Sequence, residues 1–166
     1  DIGNPFVHLT NVSIQKKNEA YNKSHGGKWK ISYLRLYLEA TRGGDATRQL
    51  FEDIDELIVH SARAVRTAMI NDRHCFECYG YDLLIDSDLK PWLIEVNASP
   101  SLNATTVSDR MLKSKMINDL TDIVIPDCLD NWGLGAGMPS CRDTAPPHSD
   151  FSVLYDEAAE QQVRRQ

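Results

Sequence analysis

Three oxygen-bearing side chains stand at a spacing that can hold a hard cation: Asp82, then Glu95 thirteen residues on, then Asn97 two further. They lie in two β-rich runs, Phe76 to Asp86 and Pro91 to Asn97, around Ser87-Asp88-Leu89-Lys90, which reads as a hairpin turn. Closing the hairpin on a two-residue turn at Asp88-Leu89 predicts that Asp82 faces Glu95, Leu84 faces Leu93 and Gly80 faces Asn97. Directly opposed side chains of an antiparallel pair share a face, with Cβ atoms about 4.5–5.5 Å apart. The pattern therefore gathers Asp82, Glu95 and Asn97 on one side, and Gly80 leaves that side open opposite Asn97. Two carboxylates that close repel unless a cation sits between them or one is protonated. Oxygen-only ligands suit magnesium, which is commonly held by one or two carboxylates plus substrate phosphates. The plain alternative is a surface hairpin with incidental acids, but like charges directly opposed are disfavoured in an ordinary sheet.

Other groups carry less. Asp86 and Asp88 imitate a calcium loop, yet Lys90 stands where a third ligand belongs and no glycine follows, so they read as turn formers. Cys75 and Cys78 form a CxxC at the start of a strand-like run. Residues three apart on a strand point to opposite faces, and no second CxxC or HxxxH follows, so zinc is not expected. With Cys128 and Cys141 they read as reduced thiols of a cytosolic protein. His60 falls inside a helix beside its apolar stripe and reads as a packing or surface histidine.

The elements that must position the hairpin are legible from periodicity. Residues 5–10 read as a short strand and 11–30 as a polar loop. Ile31 to Arg42 reads as a helix with Leu34, Tyr37 and Leu38 on one side, stopped by Gly43-Gly44. Asp45 can cap a longer helix over 46–70, with Leu50, Phe51, Ile54, Leu57, Ile58, Ala62, Val65 and Met69 at three- and four-residue steps. After the hairpin, Ser108 can cap a helix carrying Met111, Leu112, Met116, Leu120 and Ile123, which ends before Pro126. From Asp127 periodicity vanishes, and 127–150 reads as a linker or surface-hugging segment. Phe151 to Tyr155 is expected to dock on the body, and the last ten residues to fray. No internal repeat is present.

The 166 residues carry a net charge of -6 and are 42% hydrophobic, which excludes a collagen, a low-complexity tail or a wholly disordered chain. No run of about 18 apolar residues exists, so no transmembrane helix and no membrane partner are expected. Charge is uneven. Within residues 1–42, Lys16, Lys17, Lys23, Lys28, Lys30, Arg35 and Arg42 outnumber Asp1, Glu19 and Glu39, whereas the rest is strongly acidic. Such a stretch is either a solvated loop or a holder for an anionic substrate. It carries no nucleic-acid motif, and nucleic acid is not expected as a partner. The chain opens at Asp1 without methionine and reads as cut from a longer one.

Four segments resemble the tubulin–tyrosine ligase-like family: His8-Leu9-Thr10-Asn11, Ile14-Gln15-Lys16, Phe76-Glu77-Cys78-Tyr79-Gly80-Tyr81-Asp82, and Leu89-Lys90-Pro91-Trp92-Leu93-Ile94-Glu95-Val96-Asn97-Ala98-Ser99-Pro100-Ser101-Leu102. The resemblance covers roughly residues 4–125, and leans toward members that build glutamate chains. It implies an α+β fold, the carboxy-terminal half of an ATP-grasp fold, with an antiparallel sheet and packed helices. The implied division is a catalytic part over 1–126 and an irregular extension over 127–166. By the same resemblance Asp82, Glu95 and Asn97 hold Mg2+, Thr10 and Asn11 contact ATP, and Ser13 and Lys28 lie near the incoming amino acid. Lys16 (or Lys17) and Lys28 are the candidate catalytic cations.

The implied reaction joins the amine of free L-glutamate to the γ-carboxylate of a glutamate in a tubulin tail, through an acyl phosphate made with ATP. The implied partners are tubulin tails, microtubules and other subunits of a polyglutamylase complex. The implied setting is the cytoplasm and cytoskeleton, with the basal body of a cilium or flagellum. Sister ligases that add tyrosine or glycine, and a non-catalytic microtubule-binding relative, remain open, although the intact Asp82, Glu95 and Asn97 argue against the last. Two departures stand out. The family's amino-terminal half, with its ATP-contacting lysine and amino-acid-gripping arginine, is missing, so the 166 residues alone are expected to be inactive. Ala98 follows Asn97 where some relatives carry histidine.

Overall fold

Asn4 and Pro5 set the first element. The computed structural model describes residues 3–9, 12–21, 28–70, 75–124 and 148–157. Where the sequence predicts a strand over 5–10, the structure holds a four-residue helix, α1 (Pro5–His8). Asn4 Oδ1 accepts the Phe6 amide at 3.0 Å, and Pro5 takes a first-turn position where its missing N–H is no loss. These local terms outweigh the β-preference of Phe6 and Val7. A second short helix, α2 (Val12–Gln15), lies in the stretch expected to be loop. Gln15 Nε2 ties the two together, donating to Phe6 O at 2.9 Å and Leu9 O at 2.5 Å.

The next helix, α3 (Ile31–Arg42), has the expected bounds. Gly43 closes it at φ 90°, a conformation glycine adopts without penalty, and its amide donates to Glu39 O. Gly44 does not extend the stop but begins α4 (Gly44–Val65). Asp45 therefore stands in the first turn rather than at the cap, where its charge still complements the helix amino terminus. The α-helix ends at Val65, earlier than periodicity predicts, and a 3-10 turn follows over Arg66–Ala68. The core lies where α3 meets α4. Leu38 and Leu50 are buried there with Thr47, whose Oγ1 donates to Gly43 O at 2.9 Å. The Arg35 guanidinium lies 3.9 Å above the Phe51 ring.

Two antiparallel strands form the sheet: β1 (Gly80–Ile85) and β2 (Pro91–Asn97). Strand β2 has the expected bounds, while β1 starts four residues later than expected, leaving 75–79 outside regular structure. Tyr81 hydroxyl meets Ser61 Oγ at 2.9 Å and so pins β1 to α4. Asp86 builds the tip. Its Oδ1 accepts the amides of Asp88 and Lys90, both at 2.9 Å, and its Oδ2 accepts the Trp92 indole N–H at 2.9 Å. Leu89 takes φ 63° to close the turn.

The last helix is α5 (Val107–Val124). Thr106, not Ser108, caps it: Thr106 Oγ1 accepts the Asp109 amide at 3.1 Å. Its covered side is also displaced from the predicted one. Met111 and Leu112 are exposed, whereas Asp109, Lys113, Met116, Leu120 and Ile123 are buried or half-buried. Of the stretch Phe151 to Tyr155 expected to dock, Tyr155 is half-buried while Phe151, Val153 and Leu154 stay exposed, and the residues flanking the stretch make the polar contacts. Lys115 Nζ reaches His148 O (3.2 Å) and Asp150 Oδ2 (3.0 Å), and the Asp150 amide donates to Asp119 Oδ2 (2.9 Å). At its other end Arg66 pairs with Glu157, and Arg63 lies 4.2 Å over the Tyr155 ring. Residues 125–147, most of the expected linker, and the expected frayed end beyond Glu157 lie outside the described residues.

Candidate metal and nucleotide site

The hairpin register decides what its outer face can do. Gly80 pairs with Asn97 and Asp82 with Glu95, as predicted. Below that the ladder slips: Leu83 pairs with Leu93 and Leu84 with Trp92, so the expected Leu84–Leu93 pair does not form. Ile94 is the extra residue of a β-bulge, since two residues of β2 oppose one step of β1. In an even strand Leu93 and Glu95 would share a face. The bulge separates them, so that Glu95 faces out beside Asp82 while Leu93 joins Leu83 on the other side.

Asp82, Glu95 and Asn97 converge on that outer face, and all three are exposed. Asn97 Nδ2 donates to Asp82 Oδ2 at 3.2 Å and to Glu95 Oε1 at 3.3 Å. An amide N–H group thus stands where positive charge is needed between two carboxylates. A half-turn of the amide exchanges Nδ2 for Oδ1 and yields a cluster of hard oxygen ligands on the same three residues. That donor set fits magnesium. Among the described residues no three His, Cys, Asp or Glu side chains gather, so this set rests on two carboxylates and one amide.

The space over Gly80 is not open, contrary to the sequence reading. A Cβ placed on Gly80 would stand 2.9 Å from Pro100 Cβ and 3.8 Å from Asn97 Cβ. The chain leaving β2 folds back, and the proline ring occupies the room that the missing side chain leaves. On the same strand, Trp92 is fixed by Asp86 and by Lys90, whose Nζ lies 4.1 Å over the indole. The indole N–H, ahead of two backbone amides, holds the Asp86 carboxyl below its ordinary value.

The other sequence candidates are placed as follows. Ser13 lies exposed in α2 and Lys16 is exposed just after it. Thr10 and Asn11 lie outside the described residues. Lys28 is held by Asp109, Nζ to Oδ2 at 2.8 Å. The same Oδ2 accepts the Thr105 amide at 3.0 Å. Lys28 first, and the Thr105 amide second, lower the Asp109 carboxyl to about 2. Lys28 lies in a shallow cleft with Trp29, Lys30, Thr106, Ser108 and Leu112. Sequence reasoning missed Asp109 and Lys113. The signal was present, since Thr106 followed three residues later by an acid marks a helix start. Cys75 and Cys78 are unbridged thiols, the first exposed. No helix among the described residues is long and apolar enough to cross a membrane.

Comparison with known proteins identifies a family. Residues 1–131 match the model described as Tubulin-tyrosine ligase family. A relative from Tetrahymena thermophila, described as probable alpha-tubulin polyglutamylase Ttll1, is 46% identical over 163 residues, which is 98% of this chain and 39% of that protein. A bovine probable tubulin polyglutamylase, TTLL9, is 47% identical over 123 residues, 74% of this chain and 27% of that protein. The human tubulin polyglutamylase TTLL5 is 38% identical over 145 residues, covering 78% of this chain and 11% of its own. The chain thus spans well under half the length of each of these relatives. No solved structure matches.

Proposed function

Because the chain belongs to the tubulin-tyrosine ligase family, we propose that it forms part of an ATP-dependent ligase that joins glutamate to the γ-carboxylates of glutamates in tubulin tails. The observation that carries this reading is the convergence of Asp82, Glu95 and Asn97 on one exposed face of the hairpin. The relatives bearing polyglutamylase names favour glutamate over tyrosine or glycine. The fold proposed for the whole is an ATP-grasp fold in which this chain supplies the carboxy-terminal half, with 1–126 as the catalytic part and 127–166 as an extension.

In this reading Asp82, Glu95 and Asn97 Oδ1 hold Mg2+ at the phosphates of ATP. The bound magnesium nucleotide supplies a phosphoryl group that turns an unreactive carboxylate into an acyl phosphate, which an amine can attack. Everything else is positioning and charge neutralisation by the chain's own groups. Thr10 and Asn11 contact the nucleotide, Ser13 faces the incoming amino acid, and Lys16 neutralises phosphate or carboxylate charge. Lys28 reaches a substrate carboxylate only by leaving Asp109, so its role is exchange of one carboxylate for another. Tubulin tails and free L-glutamate are the substrates, further complex subunits the partners, and the cytoskeleton with the ciliary base the setting.

The test is a screen of free amino acids. The whole protein is incubated with ATP, Mg2+ and microtubules, and incorporation of each labelled amino acid into tubulin is measured. Glutamate alone should enter, and Glu95→Ala should abolish its entry. Incorporation of tyrosine or glycine instead would replace the substrate. Unchanged glutamate incorporation by Glu95→Ala would remove the metal role.

A further inference from the structure

The nine residues between β2 and α5 begin immediately after Asn97, and three contacts fix them. Pro100 packs on Gly80. Asp109 Oδ2 takes the Thr105 amide. Between these, Lys113 Nζ donates to Ser101 O at 3.0 Å and Asn103 O at 2.5 Å. Lys113 is a lysine on the covered side of a helix, its side chain 23% exposed, with Asp109 Oδ1 3.7 Å away. An ammonium group has three donors and strong hydration to lose, so it occupies such a place when fixed acceptors replace its water. Here the acceptors are main-chain carbonyls four and six residues beyond Asn97.

We infer that Lys113 is a positioning residue for Asn97: by gripping the Ser101 and Asn103 carbonyls, it holds the end of β2 so that the amide stays beside Asp82 and Glu95. The inference rests on the reading of Asn97 as a metal ligand. An amide contributes one neutral oxygen, a weaker hold than a carboxylate offers, so its share of the affinity depends on having its place set in advance. Asp82 and Glu95 lie within the ladder, whereas Asn97, paired with Gly80, is its last rung and depends on the chain beyond it.

The experiment measures Mn2+ affinity by electron paramagnetic resonance on the whole protein with saturating non-hydrolysable ATP analogue, alongside the thermal midpoint. Lys113→Met should weaken Mn2+ binding about tenfold, and Lys113→Arg, which keeps charge and donors, should restore most of it. Lys115→Met, which breaks the contacts to Asp150 and His148, should lower the midpoint and leave Mn2+ affinity unchanged. If Lys113→Met does not fold, Lys113→Gln replaces it, with weakened Mn2+ binding again expected. Wild-type affinity in the folded Lys113 variant, while Asn97→Ala weakens Mn2+ binding, overturns the inference alone. Wild-type affinity in Asn97→Ala overturns the metal reading and the inference with it.

Discussion

Gly80 and Pro100 are matched across the start of the hairpin: a single methyl group on Gly80 would lie 2.9 Å from Pro100 Cβ. That distance is inside van der Waals contact, and Pro100 is a ring with no torsion to yield. Gly80→Ala should therefore destabilise the protein by about 1–3 kcal/mol through overpacking. Urea unfolding of the variant checks this, and a stability within error of the parent would mean that the turn after Asn97 moves without cost.

Asp82 separates activity from stability. It stands opposite Glu95, so neutralising it removes a like-charge contact. Asp82→Asn should leave the thermal midpoint unchanged or slightly raised. In the whole protein it should cut ATP-dependent glutamate incorporation by at least about a hundredfold. A loss of activity matched by a loss of fold would make Asp82 structural instead.

Asp109 predicts an acid limb. Its carboxyl is lowered from 3.8 to about 2 in the folded chain, chiefly by Lys28. A depressed carboxylate binds fewer protons folded than unfolded. Its stabilisation is therefore complete above the ordinary value and is lost as pH falls from about 4 to about 2. Asp109→Asn should be less stable than the parent at neutral pH, and its stability should fall less steeply across that window. Urea midpoints at a series of pH values from 6 down to 2 give the comparison.

The docked segment 148–157 should hold by modest, separable contacts. Tyr155→Ala removes the ring beneath Arg63 and should cost about 1 kcal/mol. Arg66→Ala leaves Glu157 partly exposed and should cost less than about 1 kcal/mol. Chemical denaturation of the two single variants and the double variant measures both. Costs of several kcal/mol would show that the segment carries part of the core.

The sequence made the site more legible than its surroundings, for physical reasons. Helix α3 and strand β2 have their predicted bounds because glycine at 43 and the alternation around Pro91–Asn97 are strong local signals. The Asp82–Glu95 pair is reached by counting outward from a two-residue turn, but the rungs nearest the turn stand one residue off that count and the bulge at Ile94 makes up the difference. Nothing local marks that extra residue, since Leu93 and Val96 near it are ordinary strand formers. The strand predicted at residues 5–10 became α1 because Asn4 and Pro5 act on backbone groups that propensity ignores. Lys28 read as a loop lysine beside substrate, since its partner Asp109 lies 81 residues away. The exposed Met111 and Leu112 led the α5 face astray, because its covered side opens with the polar pair Asp109 and Lys113.

The bulge has a consequence for how this hairpin can diverge. An outward acid and, two positions before it, a leucine on the opposite face coexist because Ile94 stands between them outside the ladder. Losing Ile94 evens the ladder and keeps Asp82 opposite Glu95 and Leu83 opposite Leu93, whereas losing a paired residue shifts the register and turns the side chains beyond it to the wrong side. The segment is anchored at both limits, by Asp86 at the tip and Pro100 beyond the last rung. Loss of Ile94 is open to it, while loss of a paired position is closed.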